Sequence, residues 1–224
     1  MKDDTMQRSL DIRAALLDLS VYVITETQPD RSPLDIATAA FAGGAGVVQY
    51  RHKDVTSREL FLWAQQLAAL AREQGKVLVI NDRIDLALAV RADGVHLGPD
   101  DLPVSVARRI LGPTAIIGAS AGTVDEAIEA EAEGASYIGV GCIYGTASKV
   151  DAGDAVGPQR VAEIRAAVGL PIVAIGGVTG AHIPELVAAG ADGIAVISAV
   201  TRAKNMRTAC RELVKAMKDA RAGQ

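Results

Sequence analysis

Residues 77–97 read VLVINDRIDLALAVRADGVHL, and this stretch contains one complete strand–helix–strand unit. Val77–Asn81 is a β-branched run of strand length, and the apolar positions of Ile84–Val90 predict a short helix. Ala92-Asp93-Gly94 then forms a turn into a second apolar run, Gly94–Leu97. Two strands joined through a helix are parallel neighbours in one sheet.

The same alternation extends along the chain in both directions. The predicted strands are Val21–Thr25, Val47–Arg51, Val77–Asn81, Gly94–Leu97, Ala115–Ser120, Tyr137–Ile143, Pro171–Gly176 and Gly193–Ser198. The predicted helices are Leu34–Ala42, Ser57–Glu73, Ile84–Val90, Val104–Ile110, Val124–Glu133, Pro158–Val168, His182–Ala189 and Met206–Ala220. Right-handed crossovers allow an open doubly wound sheet or a closed barrel. Because open sheets usually stop at about five to seven strands, the pattern favours the α/β class and a (β/α)8 TIM barrel.

The length of 224 residues suits one barrel domain at residues 21–224. Residues 1–20 are predicted to form an N-terminal extension with an amphipathic helix. Glycine-bearing turns such as Ala92-Asp93-Gly94 and Gly190-Ala191-Asp192-Gly193 recur before strands. In each of them a glycine is expected to close the preceding helix in the left-handed conformation.

Composition excludes several classes of protein. Half of the residues are apolar but only seven are aromatic, so the interior is expected to be aliphatic. A net charge of -4 argues against a general binder of nucleic acids or membrane surfaces. The absence of a signal peptide and of a long apolar segment predicts a cytoplasmic protein. Two distant cysteines indicate neither a disulfide framework nor a zinc site, and a homo-oligomer is left open.

Charged residues follow the second and third predicted strands, where a barrel has its functional face. Alternation places Gln49, Arg51 and Lys53 on one side of the second strand end. Two cations in a barrel mouth call for an anionic partner, because unpaired buried charge is costly. Asp82 ends the third strand beside Asp100 and Asp101 after the fourth.

These carboxylates are compatible with a salt-bridge network or with an Mg2+ site that uses one or two of them. His96, at the fourth strand, is expected to be a hydrogen-bonded core histidine.

The remaining strand ends carry small and hydroxylated residues suited to phosphate groups. Ser120-Ala121-Gly122-Thr123 offers backbone amides to a phosphate or, alternatively, a capping box between Thr123 and Glu126. The sixth end carries Thr146, Ser148 and Lys149. Gly176-Gly177 and Ile197-Ser198 end the last two strands, where barrels usually bind phosphate. Two anion-binding regions predict two phosphorylated substrates or one long substrate.

At these residues the chain resembles the thiamine phosphate synthase family, from Val21 to about Ser198. The motifs that match are Gln49-Tyr50-Arg51-His52-Lys53, Asn81-Asp82-Arg83-Ile84-Asp85-Leu86-Ala87, residues 92–98 followed by Asp100-Asp101, Val140-Gly141-Cys142-Ile143-Tyr144 and Ile175-Gly176-Gly177. The resemblance implies Mg2+-dependent coupling of hydroxymethylpyrimidine diphosphate to hydroxyethylthiazole phosphate, through a dissociative step resembling a pyrimidine cation.

The resemblance also implies a role for each matching position. Asp82 and Asp101 would bind Mg2+, and Gln49 and Asn81 would hold the aminopyrimidine. The leaving diphosphate would be neutralised by Arg51, Lys53, Ser120 and Lys149. Phosphate contacts would come from Thr146 and Ser148, and the thiazole phosphate would be received by Gly177, Ile197 and Ser198.

Three other functions are alternatives to this synthase. A thiazole tautomerase on the same fold need not keep the pyrimidine and Mg2+ residues, which are present here. A Schiff-base aldolase requires a desolvated lysine, whereas Lys53 and Lys149 lie among polar groups. A non-catalytic sensor of thiamine phosphate stays open until turnover is measured.

Overall fold

Eight parallel strands form a closed barrel in the computed structural model, which describes residues 18–53, 55–146 and 154–223. The strands are β1 (Val21–Ile24), β2 (Val47–Tyr50), β3 (Val77–Asn81), β4 (Gly94–Leu97), β5 (Ile116–Ala121), β6 (Tyr137–Val140), β7 (Ile172–Ile175) and β8 (Gly193–Val196). Each strand pairs with the next, and β8 pairs with β1, with Tyr22 opposite Ala195. The (β/α)8 barrel is therefore confirmed, and the open sheet is excluded.

Helices alternate with the strands over the described residues. They are α1 (Pro33–Gly43), α2 (Ser57–Glu73), α3 (Ile84–Val90), α4 (Val104–Leu111), α5 (Val124–Ala132), α6 (Gly157–Ala167), α7 (Ile183–Ala188), α8 (Ser198–Thr201) and α9 (Met206–Ala222). The four-residue α8 was not predicted, because Ser198 was assigned to the last strand, which ends at Val196. None of these helices is long and apolar enough to cross a membrane. The predicted N-terminal helix falls on residues 1–17, outside the described residues.

Side-chain capping explains where several helices begin. In each case an N-cap hydroxyl accepts from the N–H three residues later, and the acid at that position accepts from the N-cap N–H. The pairs are Ser32 with Asp35, Thr56 with Glu59, and Thr123 with Glu126. The last pair begins α5 just after the carboxyl end of β5, at the face where a barrel has its functional residues.

The turn after α3 corrects one expectation about glycine. Gly190 adopts positive φ at a helix end, as expected, and Gly44 and Gly134 do the same at the ends of two other helices. At the Ala92-Asp93-Gly94 turn, however, Arg91 takes the left-handed conformation, with φ 54°. Gly94 is needed for a different reason, since a Cβ there would lie 1.8 Å from the carbonyl oxygen of Ile116.

Alternation along each strand divides the core into two layers. Val21 and Val23 face the helices, whereas Tyr22 and Ile24 face the barrel interior. The interior cluster is mostly aliphatic, as its composition predicts, but it also holds the buried phenol rings of Tyr22 and Tyr137. These two rings form the polar floor beneath the carboxyl ends of the strands.

Candidate active site

A pocket of about 750 Å3 opens at the carboxyl ends of the strands. This volume suits a small-molecule site. Predicted site residues that line it are Arg51, Lys53, Asn81, Asp82, Asp101, Ser120, Thr146, Gly177, Ile197 and Ser198. A smaller compartment of about 30 Å3 adjoins it and is lined by Gln49. Ser148 and Lys149 lie outside the described residues.

Asp82 and Asp101 bring two carboxyl groups together at the ends of β3 and β4. Burial raises the pKa of Asp82 to about 6, and a hydrogen bond with the Asp101 carboxyl adds to the rise, while Lys53 and Arg51 oppose it. Asp101 Oδ2 also accepts from the N–H of Gly98 at 2.7 Å, which fixes this carboxylate at the pocket wall. The like charges on this pair favour a bound cation.

The two cations come from the chain that leaves β2. Thr25 holds the backbone of Arg51, because Thr25 Oγ1 accepts from the Arg51 N–H at 2.9 Å and donates to the Arg51 carbonyl at 3.0 Å. The Arg51 side chain is half-buried in the pocket wall, and Lys53 is exposed at its rim. Side chains alternate along the strand, so Arg51 and Lys53 face the pocket, whereas Tyr50 between Gln49 and Arg51 packs against the helices.

Among the described residues, no cluster of three or more His, Cys, Asp or Glu side chains is suited to hold a metal ion. A softer metal such as zinc would need such a cluster. Mg2+ needs only one or two carboxylates, since water and substrate phosphates complete its coordination. The donor set of Asp82 and Asp101 fits Mg2+ on that basis.

The end of β5 corrects the expectation of free amides for a phosphate. The N–H groups of Gly122 and Thr123 both donate to Glu126 Oε2, at 2.6 Å and 3.1 Å. The alternative capping box is thus the one observed, and it satisfies these two amides. Ser120 remains available, because its side chain is exposed at the pocket wall.

Across the pocket, the ends of β7 and β8 present a backbone surface. Gly176 and Gly177 have φ values of 99° and 66°, a conformation that favours glycine. A Cβ at Gly177 would lie 2.2 Å from the Gly145 carbonyl oxygen, so neither geometry nor space admits a side chain. Among the described residues, no hydrogen bond uses the N–H of Gly177 or of Ser198, the first residue of α8. These N–H groups can donate to an anion.

The loop after β6 is anchored to the segment after β7 by an aromatic stack. The rings of Tyr144 and His182 are 3.8 Å apart and nearly parallel, and the Tyr144 hydroxyl donates to Glu185 at 2.9 Å. Burial and the Glu185 carboxylate raise the pKa of Tyr144 to about 12. This contact holds the start of the loop, where Thr146 lines the pocket.

A hydrogen-bond network beneath the pocket was missed by sequence reasoning. Gln49 Nε2 donates to the Tyr22 hydroxyl, which bonds to the Tyr137 hydroxyl, each at 2.9 Å. His96 continues the network, with 3.0 Å from Nδ1 to Tyr137 and 3.0 Å from Nε2 to Ser120. His96 is hydrogen-bonded as expected, but it also lines the pocket. The sequence did contain a signal for this network: Tyr22 and Tyr137 occupy inward positions of two strands whose other residues are mostly aliphatic.

Gln49 differs from the other predicted residues because it is buried below the pocket. Its side chain is 1% exposed, and Oε1 has no hydrogen-bond partner among the described residues. A buried acceptor without a donor costs free energy, so this oxygen favours a ligand or water that donates to it. The compartment beside Gln49 shares His96, Ser120 and other wall residues with the main pocket.

Comparison with known proteins shows the family to which the chain belongs. The family profile described as thiamine monophosphate synthase matches residues 21–200. The thiamine-phosphate synthase of Moorella thermoacetica is 47% identical over 196 residues, which are 88% of this chain and 93% of that protein. That of Chlorobium luteolum is 48% identical over 198 residues, with coverage of 88% and 93%. The solved thiamine phosphate pyrophosphorylase from Pyrococcus furiosus has 39% identity and a TM-score of 0.83, covering 92% of this chain and 98% of that one.

Proposed function

The chain belongs to the thiamine monophosphate synthase family and is a transferase, and on that premise we propose that it makes thiamine phosphate. The substrates would be hydroxymethylpyrimidine diphosphate and hydroxyethylthiazole phosphate. The observation that carries the proposal is the convergence of Asp82, Asp101, Arg51 and Lys53 on one wall of a single pocket, opposite the Gly176-Gly177 turn. This arrangement can receive a diphosphate on one side and a phosphate on the other.

The reaction breaks the bond between the exocyclic methylene carbon of the pyrimidine and the diphosphate oxygen. The electron pair leaves with the diphosphate, and the aminopyrimidine ring delocalises the positive charge on the methylene. The thiazole nitrogen then forms the new carbon–nitrogen bond with its own lone pair. Neither an enzymatic nucleophile nor a general base is required, so catalysis depends on charge stabilisation and on placement of the two substrates.

Charge that develops on the diphosphate would be stabilised by Arg51, Lys53 and the Ser120 hydroxyl. All three line the wall next to the Asp82–Asp101 pair. Preorganised donors aimed at a leaving group stabilise the transition state more than the ground state. Lys149, outside the described residues, completes this group in the proposal.

The aminopyrimidine would bind at the inner end of the pocket. The vacant acceptor Oε1 of Gln49 matches the exocyclic amino group, which is a donor. Asn81, at the end of β3, lies in the wall of the main pocket and offers both a donor and an acceptor. Burial of Gln49 makes the match selective, because a ligand without a donor leaves Oε1 unsatisfied.

The thiazole phosphate would bind at the ends of β7 and β8. The N–H groups of Gly177 and Ser198, next to Ile197, support this assignment because they have no partner among the described residues. Thr146 would add a hydroxyl contact from the loop after β6, and Ser148 another. The thiazole nitrogen would then face the pyrimidine methylene across the pocket.

Asp82 and Asp101 would hold Mg2+, whose donor preference they fit. Bound there, Mg2+ would supply positive charge to the diphosphate oxygens. Arg51 and Lys53 lie close enough to the pair to oppose the rise in the pKa of Asp82. Together with Lys149, which follows the sixth strand, these side chains would surround the leaving group with positive charge.

The direct test is formation of thiamine phosphate from the two purified substrates, with Mg2+ and after its removal by EDTA. We expect steady-state turnover that depends on both substrates and on the metal. Isomerisation of a thiazole phosphate without coupling would identify a tautomerase instead. Binding of thiamine phosphate without turnover would identify a sensor.

A further inference from the structure

Four hydrogen bonds connect five side chains from the buried compartment to the pocket wall. They run from Gln49 through Tyr22, Tyr137 and His96 to Ser120, at distances between 2.9 Å and 3.0 Å. The five residues come from five different strands, so the chain of bonds crosses the barrel interior. Only its last member, Ser120, has an exposed side chain.

The direction of these bonds follows from counting protons. Gln49 Nε2 can only donate, so the Tyr22 oxygen accepts from it. Burial raises the pKa of both phenols, and each therefore keeps one proton that needs an acceptor. The Tyr22 oxygen accepts from Gln49, so the Tyr22 hydroxyl proton needs a different partner. The Tyr137 oxygen is that partner, and Tyr22 donates to it. Tyr137 in turn donates to His96 Nδ1.

This direction sets the tautomer of His96 and the orientation of Ser120. A neutral His96 that accepts at Nδ1 carries its proton at Nε2. That proton is donated to Ser120 Oγ, which lies 3.0 Å away. Because Ser120 accepts from His96, its own hydroxyl proton points away from the ring and toward the pocket. The opposite direction would turn the Ser120 proton inward and leave only lone pairs facing an anion.

The barrel leaves room for this chain of bonds at two glycines. A Cβ at Gly118 would lie 2.3 Å from the Tyr137 hydroxyl and 2.5 Å from His96 Nδ1, the two atoms that bond to each other. A Cβ at Gly139 would lie 3.1 Å from His96 Cε1. Glycine weakens a strand interior, and here it is required by the close approach of two polar side chains.

We propose that this directional relay fixes the Ser120 hydroxyl as a donor to the departing diphosphate, with Tyr22, Tyr137 and His96 as positioning residues. The identity of the diphosphate rests on the proposed function, whereas the direction of the relay does not. A ligand that donates to Gln49 Oε1 holds the amide in the orientation that sets this direction. The relay thereby links recognition at the inner end of the pocket to stabilisation of the leaving group.

The first test reads the tautomer of His96 in the free protein by nitrogen-15 NMR. Of the three histidines, His96 is assigned by comparison with the His96→Gln variant. We expect a neutral ring protonated at Nε2. A ring protonated at Nδ1, or at both nitrogens at neutral pH, would overturn the proposal. This measurement requires no turnover, so its result tests the direction of the hydrogen bonds whether or not the proposed function is correct.

The second test compares steady-state kinetics of Tyr137→Phe, Ser120→Ala and the double variant. We expect Tyr137→Phe to lower kcat about tenfold, with a much smaller change in KM for the thiazole phosphate. The double variant should be no slower than Ser120→Ala, because the relay acts through that hydroxyl.

Tyr50→Phe is the matched control for these variants. It removes a buried hydroxyl that has no hydrogen-bond partner among the described residues and that lies outside the relay. Its kcat should equal that of the wild type. An equal loss from Tyr137→Phe in the wild-type and Ser120→Ala backgrounds would mean that Tyr137 acts only on the structure, and the proposal would be wrong.

Discussion

The N–H of Asp82 donates to the carbonyl oxygen of His96 at 2.9 Å, across the ends of β3 and β4. The bond holds Asp82 in the left-handed conformation, with φ 62°, and directs its carboxyl group to Asp101. A backbone contact between neighbouring strands thus assembles the carboxylate pair to which we assign Mg2+. The same residue His96 contributes its backbone to the proposed metal site and its ring to the relay.

Replacement of Asp82 by Asn tests the metal assignment. Asn tolerates the left-handed conformation, so Asp82→Asn should fold like the wild type, whereas Asp82→Ala also loses the local backbone preference. We expect both variants to lose roughly 100-fold or more of kcat/KM, because each lacks one of the two anionic ligands. The measurement is turnover as a function of Mg2+ concentration, with thermal melts as the control for folding. Full turnover of the wild type in EDTA, with metal loss verified, would refute the assignment.

Replacement of Gly118 by Ala tests whether the relay needs this space. The added Cβ would lie 2.1 Å from Tyr137 Cζ, so either the ring or the strand must move. We expect a loss of about 1–3 kcal/mol in the free energy of unfolding, measured with urea. Gly122→Ala is the matched control, since its nearest contact would be an ordinary 3.6 Å to Glu126 Oε2. Equal stability of the two variants would show that the interior adapts to the extra methyl group.

Glu26 and its hydrogen-bond donors Arg202, Thr201 and Gln28, the Glu26 cluster, are expected to make the stability of the fold depend on pH in the acidic range. Burial opposes ionisation of Glu26, but hydrogen bonds from Arg202, Thr201 and Gln28 outweigh it and lower the pKa below the ordinary value of 4.5. A lowered pKa in the folded state means stability that is complete above about pH 5 and is lost as the pH falls through the folded value.

This sensitivity is measurable in the Glu26→Gln variant. Its free energy of unfolding should fall less steeply than that of the wild type on acidification from pH 5, and the two proteins should converge. If the free energies of unfolding of the two proteins fell in parallel down to pH 3, Glu26 would not be a cause of the loss of stability in acid. The cluster joins the segment after β1 to α8, since Thr201 and Arg202 both donate to Glu26.

Lys149 is predicted to act on the coupling step. If its charge stabilises the departing diphosphate, Lys149→Ala should lower kcat by roughly 10- to 100-fold and change KM for the thiazole phosphate much less. Lys204→Ala removes a charge from an exposed residue outside the pocket lining and should behave as the wild type. A higher KM with unchanged kcat would instead assign Lys149 to substrate binding.

The repeating pattern of the sequence was sufficient to predict the barrel. Strand and helix periodicity are local properties, and eight strand–helix units favour closure because open sheets usually stop at about five to seven strands. The pocket lining was predicted for the same reason, because polar residues that follow apolar strands reach one rim once the strands are parallel. Arg51, Asp82 and Ser120 were found in this way.

Contacts across the barrel interior were decided by the tertiary structure alone. Tyr22 and Tyr137 are 115 residues apart on strands that are not neighbours, and their bond depends on barrel closure and strand register. Glu126 likewise satisfies two amides that the sequence left available to a phosphate, and Gln49 lies below the pocket rather than in its wall. A one-dimensional pattern states which side of a strand a residue faces, but the partner on that side is fixed only when all the strands have closed around it.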